Sequence, residues 1–247
     1  MHVADTSNTH YAGQDLEALA DLPRYTGWIL EQFQGYLHGR VIEVGAGIGN
    51  VALRYLDRVD SALLVEPAAN LCEKLRARVG ERRNVTVAEA VLHEVAPELL
   101  AVPFDAALMV NVLEHIPDDA AVLARLFEVL KPGGALCIFV PAVPELYGSL
   151  DAIVDHVRRY RRAELGDKLA AAGFQVQRLD YLDTLGILPW FIAGKVLKRK
   201  KYDALGAQAY DRVGVPVTRV LEAALSRLLP RTPIGKSLVA VAIKPAR

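Results

Sequence analysis

Short runs of apolar residues recur near positions 40–44, 62–66, 85–88, 105–110, 135–140 and 174–180. Between them, apolar side chains fall at helical spacing near 48–58, 68–79, 119–130 and 163–172. Strand and helix in alternation predict an α/β architecture: a parallel sheet covered by helices on both faces, with any ligand at the carboxyl ends of the strands. Upstream, Gln14 to Leu37 keeps helical spacing interrupted by Pro23, and at the far end Ser237 to Lys244 is a last apolar run that predicts a terminal strand. No internal repeat or low-complexity tract is visible.

The stretch from Leu182 to Gly235 breaks the alternation. It opens with Leu185-Gly-Ile-Leu-Pro-Trp190-Phe191 and passes through the cationic run Lys195-Val-Leu-Lys198-Arg199-Lys200-Lys201. It ends in a helical pattern with Val217, Val220, Leu221, Ala224, Leu225 and Leu228 on one face. An insertion here sits over the ligand-binding edge of the sheet, so residues 183–235 are expected to form a helical substrate lid, with Trp190 and Phe191 against an apolar or aromatic ligand. A packed helical pair with a solvated basic turn, and an interfacial membrane contact made by Trp190, Phe191 and the lysines, are the other readings of these residues.

In Val41-Ile42-Glu43-Val44-Gly45-Ala46-Gly47-Ile48-Gly49-Asn50 an acid-bearing apolar strand runs into three glycines at alternate positions. A turn without Cβ atoms lets backbone N–H groups approach a ligand, and the positive end of a following helix favours anionic groups. The dinucleotide fingerprint places its third glycine three residues after the second, whereas here Gly49 comes after two and Asn50 stands in that place, so the spacing points away from NAD. Ser61-Ala-Leu-Leu-Val-Glu66-Pro67 is a second buried run ending in an acid, ~20 residues on, where a carboxylate can accept hydrogen bonds from both hydroxyls of a ribose. Glycines alone would also serve an ordinary strand-to-helix turn.

Composition narrows the picture. At 247 residues with 52% apolar content, one α/β domain with an elaboration has an ample core. Lys plus Arg and Asp plus Glu are both 29, so net charge gives no argument for nucleic acid, and none is expected as a partner. Cys72 and Cys137 lack the close spacing of zinc or redox pairs and read as inert core thiols. The N-terminal residues do not read as a secretory leader and no run reaches ~18 continuous apolar residues, so a cytoplasmic enzyme without a membrane partner is expected.

Three further segments follow in order: Asn111-Val112-Leu113-Glu114-His115-Ile116, Leu130-Lys131-Pro132-Gly133-Gly134 turning into Ala135 to Pro141, and His156-Val157-Arg158-Arg159-Tyr160. With the glycine turn and Glu66, they make the chain resemble the class I S-adenosylmethionine-dependent methyltransferases over about Arg40 to Val176. The resemblance implies a doubly wound, Rossmann-like sheet of seven strands, the last antiparallel, with the helical insert before it. A single methyltransferase domain is expected: cap helices at 1–38, a cofactor-binding core at 39–182, the lid at 183–235 and the terminal strand at 236–247. The cofactor implied is S-adenosyl-L-methionine. Glu43, Gly45, Gly47 and Gly49 would line its methionine end, Glu66 with Pro67 would take the ribose, and Asn111 would lie near the sulfonium. Tyr25, with Tyr11 and Trp28, falls where family members carry helices that close over the cofactor. The Gly-Asp pair usual at the adenine end reads Ala88-Glu89 here, which leaves Glu89 as a substitute acid for the adenine amino group or as a solvated surface glutamate.

The implied chemistry is in-line displacement at a methyl carbon. Positioning both reactants can supply on the order of 7–11 kcal/mol, and a general base adds about 10²–10⁴-fold where the acceptor must lose a proton. His115 and His156 are the candidate bases, and Tyr160 joins Trp190 and Phe191 as a candidate acceptor contact. Ubiquinone-pathway and small-RNA O-methyltransferases hold a divalent metal with a Glu-x-x-Glu-His segment and a later histidine; here Asn111 replaces the first glutamate. With one anionic ligand lost, no metal is expected. Glu114, His115 and His156 remain the alternative ligand set, and pairing of Glu114 with Arg158 or Arg159 is the structural alternative. The expected activity is methyl transfer to a small-molecule acceptor, oxygen preferred over nitrogen. A membrane-associated enzyme acting on a lipid or glycan-lipid intermediate, and a non-catalytic S-adenosylmethionine-binding protein, are the alternatives.

Overall fold

The computed structural model describes residues 22–201, 203–228 and 232–246; Tyr11 and the helical spacing expected from Gln14 to Asp21 lie outside them. Seven strands form one sheet: β1 (Arg40–Val44), β2 (Ser61–Glu66), β3 (Val85–Glu89), β4 (Phe104–Val110), β5 (Leu130–Pro141), β6 (Gln175–Leu182) and β7 (Ser237–Ile243). Their order is β3-β2-β1-β4-β5-β7-β6, with β1 to β5 paired parallel and β7 antiparallel to both its neighbours. This is the doubly wound sheet with a reversed last strand that the motifs implied.

Successive side chains of a strand point to opposite faces, and the core divides accordingly. Val41 of β1 and Phe139 of β5 pack with Trp28, Ile29, Leu75 and Val79, from α1 (Pro23–Glu31) and α2 (Ala69–Val79). Ile42 and Ile138 pack on the other face with Leu123, Leu126, Leu165 and Leu169, from α3 (Asp119–Val129) and α4 (Arg162–Ala171). The central strands are therefore buried on both faces, as their unbroken apolar runs require.

Two expectations are corrected. The stretch 48–58 is two short 3-10 turns, Ala52–Arg54 and Leu56–Arg58, and no α-helix follows the glycine turn. The run breaks at Tyr55, whose backbone leaves the helical region at φ −121° while its hydroxyl reaches Glu43. No helix dipole therefore stands behind the glycine loop. The second correction concerns the insert. Its helix Ala204–Ala209 runs through a wide π turn, Tyr210–Gly214, into Val215–Leu228, yet Val217, Val220 and Leu228 face solvent while Val215, Thr218 and Glu222 are buried.

Polar anchors explain that inversion. Glu222 accepts hydrogen bonds from the backbone N–H and the hydroxyl of Thr184, at 2.8 and 2.9 Å. Asp211 accepts from the N–H groups of Arg24 and Tyr25, supplying from the insert the N-terminal cap that Leu22 cannot give α1. Asp183, fully buried at the end of β6, is ion-paired with Lys236 at 2.8 Å and accepts from the Tyr210 hydroxyl and the Gly186 N–H. It ties β6, the insert and the start of β7 together.

Removing one partner of a buried ion pair leaves the other uncompensated, at about 3–5 kcal/mol. Asp183→Asn is therefore expected to lower the urea unfolding free energy by about that amount, and adding Lys236→Met should recover most of the loss. A single substitution that leaves the unfolding midpoint in place would show that the pair does not clamp the insert.

Candidate active site

The sheet order reverses at β1: the chain leaves β1 for β2 on one side, and β4 enters on the other. A cavity of about 910 Å³ opens there at the carboxyl ends of the strands, toward the upper end of the ~300–1,000 Å³ usual for small-molecule sites. Its wall contains Tyr25, Glu43, Gly45, Gly47, Glu66, Pro67, Asn111, His115, His156 and Trp190 of the residues singled out from the sequence.

The turn after β1 is built around missing side chains. Gly45 sits at φ +72°, and a Cβ there would lie 2.3 Å from a methyl of Val112 in the turn after β4, so the Val112 side chain packs directly on the Gly45 backbone. Gly45 and Ala46 N–H both donate to the carbonyl of Val65. Gly47 N–H donates to the Glu66 carboxylate at 2.8 Å, and Ala68 N–H donates to its other oxygen at 3.0 Å. Burial raises the Glu66 pKa, and these two donors counter it. A carboxylate has about four acceptor positions, so two backbone bonds orient Glu66 and leave capacity for hydroxyl donors in the cavity.

Glu43 stands beside it, almost wholly buried. Desolvation pushes its pKa up to about 8; the 2.7 Å hydrogen bond from the Tyr55 hydroxyl opposes that rise and the charge of Glu66 adds to it. No cation among the described residues pairs with Glu43, although it faces a cavity. An acid so placed can accept a ligand's ammonium group.

The other end is histidine-rich. Asn111 turns the chain after β4 at φ +53°, a left-handed conformation that asparagine tolerates, and the 3-10 turn Leu113–His115 follows. The rings of His115 and His156 meet edge to face at 4.8 Å. His156 Nδ1 lies 2.9 Å from Asp151, and its Nε2 is 3.6 Å from Glu114. Burial works to raise Asp151, and the His156 hydrogen bond together with Arg159 outweighs it and holds the carboxyl below its usual range. Glu114 is the opposite case: fully buried, with neither carboxylate oxygen hydrogen-bonded, it is pushed up to about 8 by desolvation. The ligand atoms of Glu114, His115 and His156 lie within 4.8 Å of one another.

Glu114 forms an ion pair with neither arginine named as its partner from the sequence. Arg158 pairs with Asp119 at 2.9 Å and Arg159 with Asp151 at 2.7 Å, because those acids come forward from α3 and from the segment Ser149–Ile153. Tyr160, expected against the acceptor, is wholly buried and donates to Asp119, fixing the loop before α3. Phe191 points outward on the insert, opposite Trp190, and Glu89 pairs at the surface with Arg76. Gly49 lies behind the wall, where a Cβ would press on Leu75. Sequence reasoning missed Asp151 and Lys236. Lys236 lines the cavity with its ammonium over the rings of Tyr25, Trp190 and Tyr210, at 4.8, 5.5 and 5.8 Å. Nothing local marks either residue; a lysine directly before the terminal strand was the faint signal.

A methyltransferase-domain family model matches residues 11–179. Among relatives, the tRNA 5-carboxymethoxyuridine methyltransferase of Escherichia coli is 25% identical over 83% of this chain and 80% of its own. The ubiquinone biosynthesis O-methyltransferase of Acinetobacter baumannii is 27% identical over 45% of this chain and 48% of its own. Among solved structures, the methyltransferase bound to the Trm112 methyltransferase activator from Haloferax volcanii superposes with a TM-score of 0.62 at 14% identity, covering 94% of this chain and 96% of that one. A family model spanning most of the chain, over a seven-stranded sheet of this order with its glycine turn at the switch point, means that the chain belongs to the class I S-adenosylmethionine-dependent methyltransferases.

Proposed function

We propose that the chain moves the methyl group of S-adenosylmethionine to a hydroxyl of a small molecule, with His156 as the base that takes the hydroxyl proton. The observation that carries this reading is the 2.9 Å contact of His156 Nδ1, in the cavity wall, with Asp151 buried behind it. An acid held ionised on one ring nitrogen fixes the imidazole, with Nε2, 3.6 Å from Glu114, as the nitrogen that would accept the proton.

The wall suits the cofactor on its own chemistry. Glu43, an acid without a cation partner, would take the ammonium; Glu66, with spare acceptor capacity, would take the ribose hydroxyls; the Gly45 turn admits a ligand close to the backbone. When bound, S-adenosylmethionine supplies an electrophilic methyl carbon on a good leaving group. The protein then has to orient and to exclude water. Tyr25 and Trp190 close the cavity side that faces the insert, and Arg159 stacks beneath Trp190 at 5.0 Å, holding the indole in place. The proton of the acceptor would pass to His156 Nε2. The residues of the insert that reach the cavity, Trp190, Ala207, Tyr210 and Asp211, support its reading as a lid, and an aromatic wall suits a small acceptor with apolar surface. The relative named for a modified tRNA nucleoside makes tRNA the competing acceptor, so a tRNA fraction belongs in any acceptor panel.

A second reading has its own observation. The Glu114 carboxylate, without a hydrogen bond, would form with the imidazoles of His115 and His156 a donor set for a divalent cation, which would supply Lewis-acid polarisation of an acceptor oxygen. On either reading the acceptor reacts at the histidine end.

Glu66→Ala is expected to weaken binding of S-adenosylhomocysteine by about 1.5–3 kcal/mol in calorimetry, the worth of hydrogen bonds to a charged group. Unchanged affinity would mean that another acid holds the ribose. His156→Ala should lower kcat by about 10²-fold or more, with cofactor affinity unchanged. Activity that survives that substitution would eliminate His156 as the base.

Glu114 separates the two readings. Its folded pKa, about 8, lies above the ordinary carboxylate value, so the folded chain binds the extra proton and stability falls as pH rises from about 4.5 to about 8. Glu114→Gln should flatten that part of the melting-temperature profile, and the variant should be the more stable protein at pH 8.5. If a cation belongs there, Mn²⁺ should raise the melting temperature of the unsubstituted protein but not of the variant, and a chelator should abolish turnover.

A further inference from the structure

The insert helix Ile187–Phe191, continued by the π turn Ile192–Val196, has two unlike faces. Its inner face belongs to the protein. Trp190 is cavity wall and its indole N–H donates to Asp151; Gly194 lies against Gly148, where a Cβ on Gly148 would come within 3.0 Å of its backbone. Ser149 ties the seat down by donating to the carbonyls of Gly194 and Arg199. The outer face carries Leu188, Phe191, Ile192 and Val196, at helical spacing and all exposed, Leu188 and Val196 by 63 and 60%. Single exposed apolar residues are ordinary; a continuous stripe of them on one helix marks a surface that is covered in use.

Charge says what covers it. Lys195, Lys198, Arg199, Lys200 and Lys201 follow directly, all exposed, and no acid occurs from Ile187 to Lys201. Since cations and anions balance at 29 each over the whole chain, this cluster is a local excess on an otherwise net acidic molecule. A second copy docking through the same face would bring two such clusters together. A nucleic acid would satisfy the cations and leave the stripe in water. A bilayer with anionic headgroups takes both: apolar side chains enter the headgroup and acyl boundary while lysine and arginine reach the phosphates.

We propose that the outer face of residues 188–201 docks on an anionic lipid surface. The contact is peripheral, since among the described residues no helix is long and apolar enough to cross a membrane. It replaces the expectation, drawn from the sequence, of a chain without a membrane partner. The proposal rests on the exposed face alone and stands whichever acceptor the cavity takes. Docking would bring the cavity within about one helix diameter, ~10–12 Å, of the headgroup plane.

Co-sedimentation of the full chain with phosphatidylcholine vesicles, with and without phosphatidylglycerol, tests this. Binding to the anionic vesicles is expected to exceed binding to the neutral ones by at least about tenfold and to weaken with salt. Leu188→Glu with Val196→Glu, and separately Lys198→Glu with Lys200→Glu and Lys201→Glu, should each reduce it about tenfold or more, with melting temperature and S-adenosylhomocysteine affinity unchanged. Equal binding to both vesicles, no binding, or loss only in the charge-reversed protein would overturn the proposal. So would sedimentation velocity showing a dimer that Leu188→Glu with Val196→Glu dissociates.

Discussion

The cavity exists because two turns meet where the sheet changes direction. β1 has parallel neighbours on both sides, and the chain segments leaving β1 and β4 diverge. The crevice between them is narrow at its base, where Val112 packs against Gly45 with no room for a Cβ. Any side chain at position 45 would push the turns apart and shift Glu43, Gly47 and Asn111 together. The Gly47 N–H to Glu66 bond then links this turn to the end of β2, so the acid is placed by the same loop it serves. The Val112 side chain on the Gly45 backbone, with the Gly47 to Glu66 bond, thus fixes the relative positions of the groups proposed to hold the cofactor.

The buried acids sort themselves by partner. Asp119, Asp151 and Asp183 each have a cation at 2.7–2.9 Å, and each joins segments far apart in the chain. Glu43 and Glu114 are as deeply buried, have no such cation, and are both pushed up to about 8. Desolvating a carboxylate without compensation is costly, so structural acids are ion-paired or, like Asp211 and Glu222, held by hydrogen bonds. Glu43 lies in the cavity wall and Glu114 behind it, against the His156 ring that lines it, so the two acids without a close cation both sit where the proposed ligands would bind.

Much of this was legible in the sequence, and the limits follow from physics. Buried parallel strands announce themselves as unbroken apolar runs, and Gly45, Glu66 and Asn111 lie in turns whose chemistry is local; both kinds of signal survive without tertiary information. Asp151 was invisible because its role comes from a register: Ser149–Ile153 folds back so that the carboxylate meets His156 and Arg159 at once. Glu89 went the other way, its position suggesting a ligand while its carboxylate lies at the surface, paired with Arg76 of α2. Helical spacing could not say which face of Val215–Leu228 turns inward, since that is decided by partners on other segments.

That last point explains why the insert has an apolar exterior at all. Most helices are held by burying their apolar stripe. Here the holding groups are polar: Asp183 with Lys236 and Tyr210, Glu222 with Thr184, Asp211 on the N-terminus of α1, and Ser149 on Gly194 and Arg199. Directional bonds fix position without consuming apolar area. The stripe from Leu188 to Val196 is thereby left outside, on a helix whose other side is the wall of the cavity proposed for methyl transfer. The chain keeps the indole in place, and the apolar face beside it is the one proposed to meet a lipid surface.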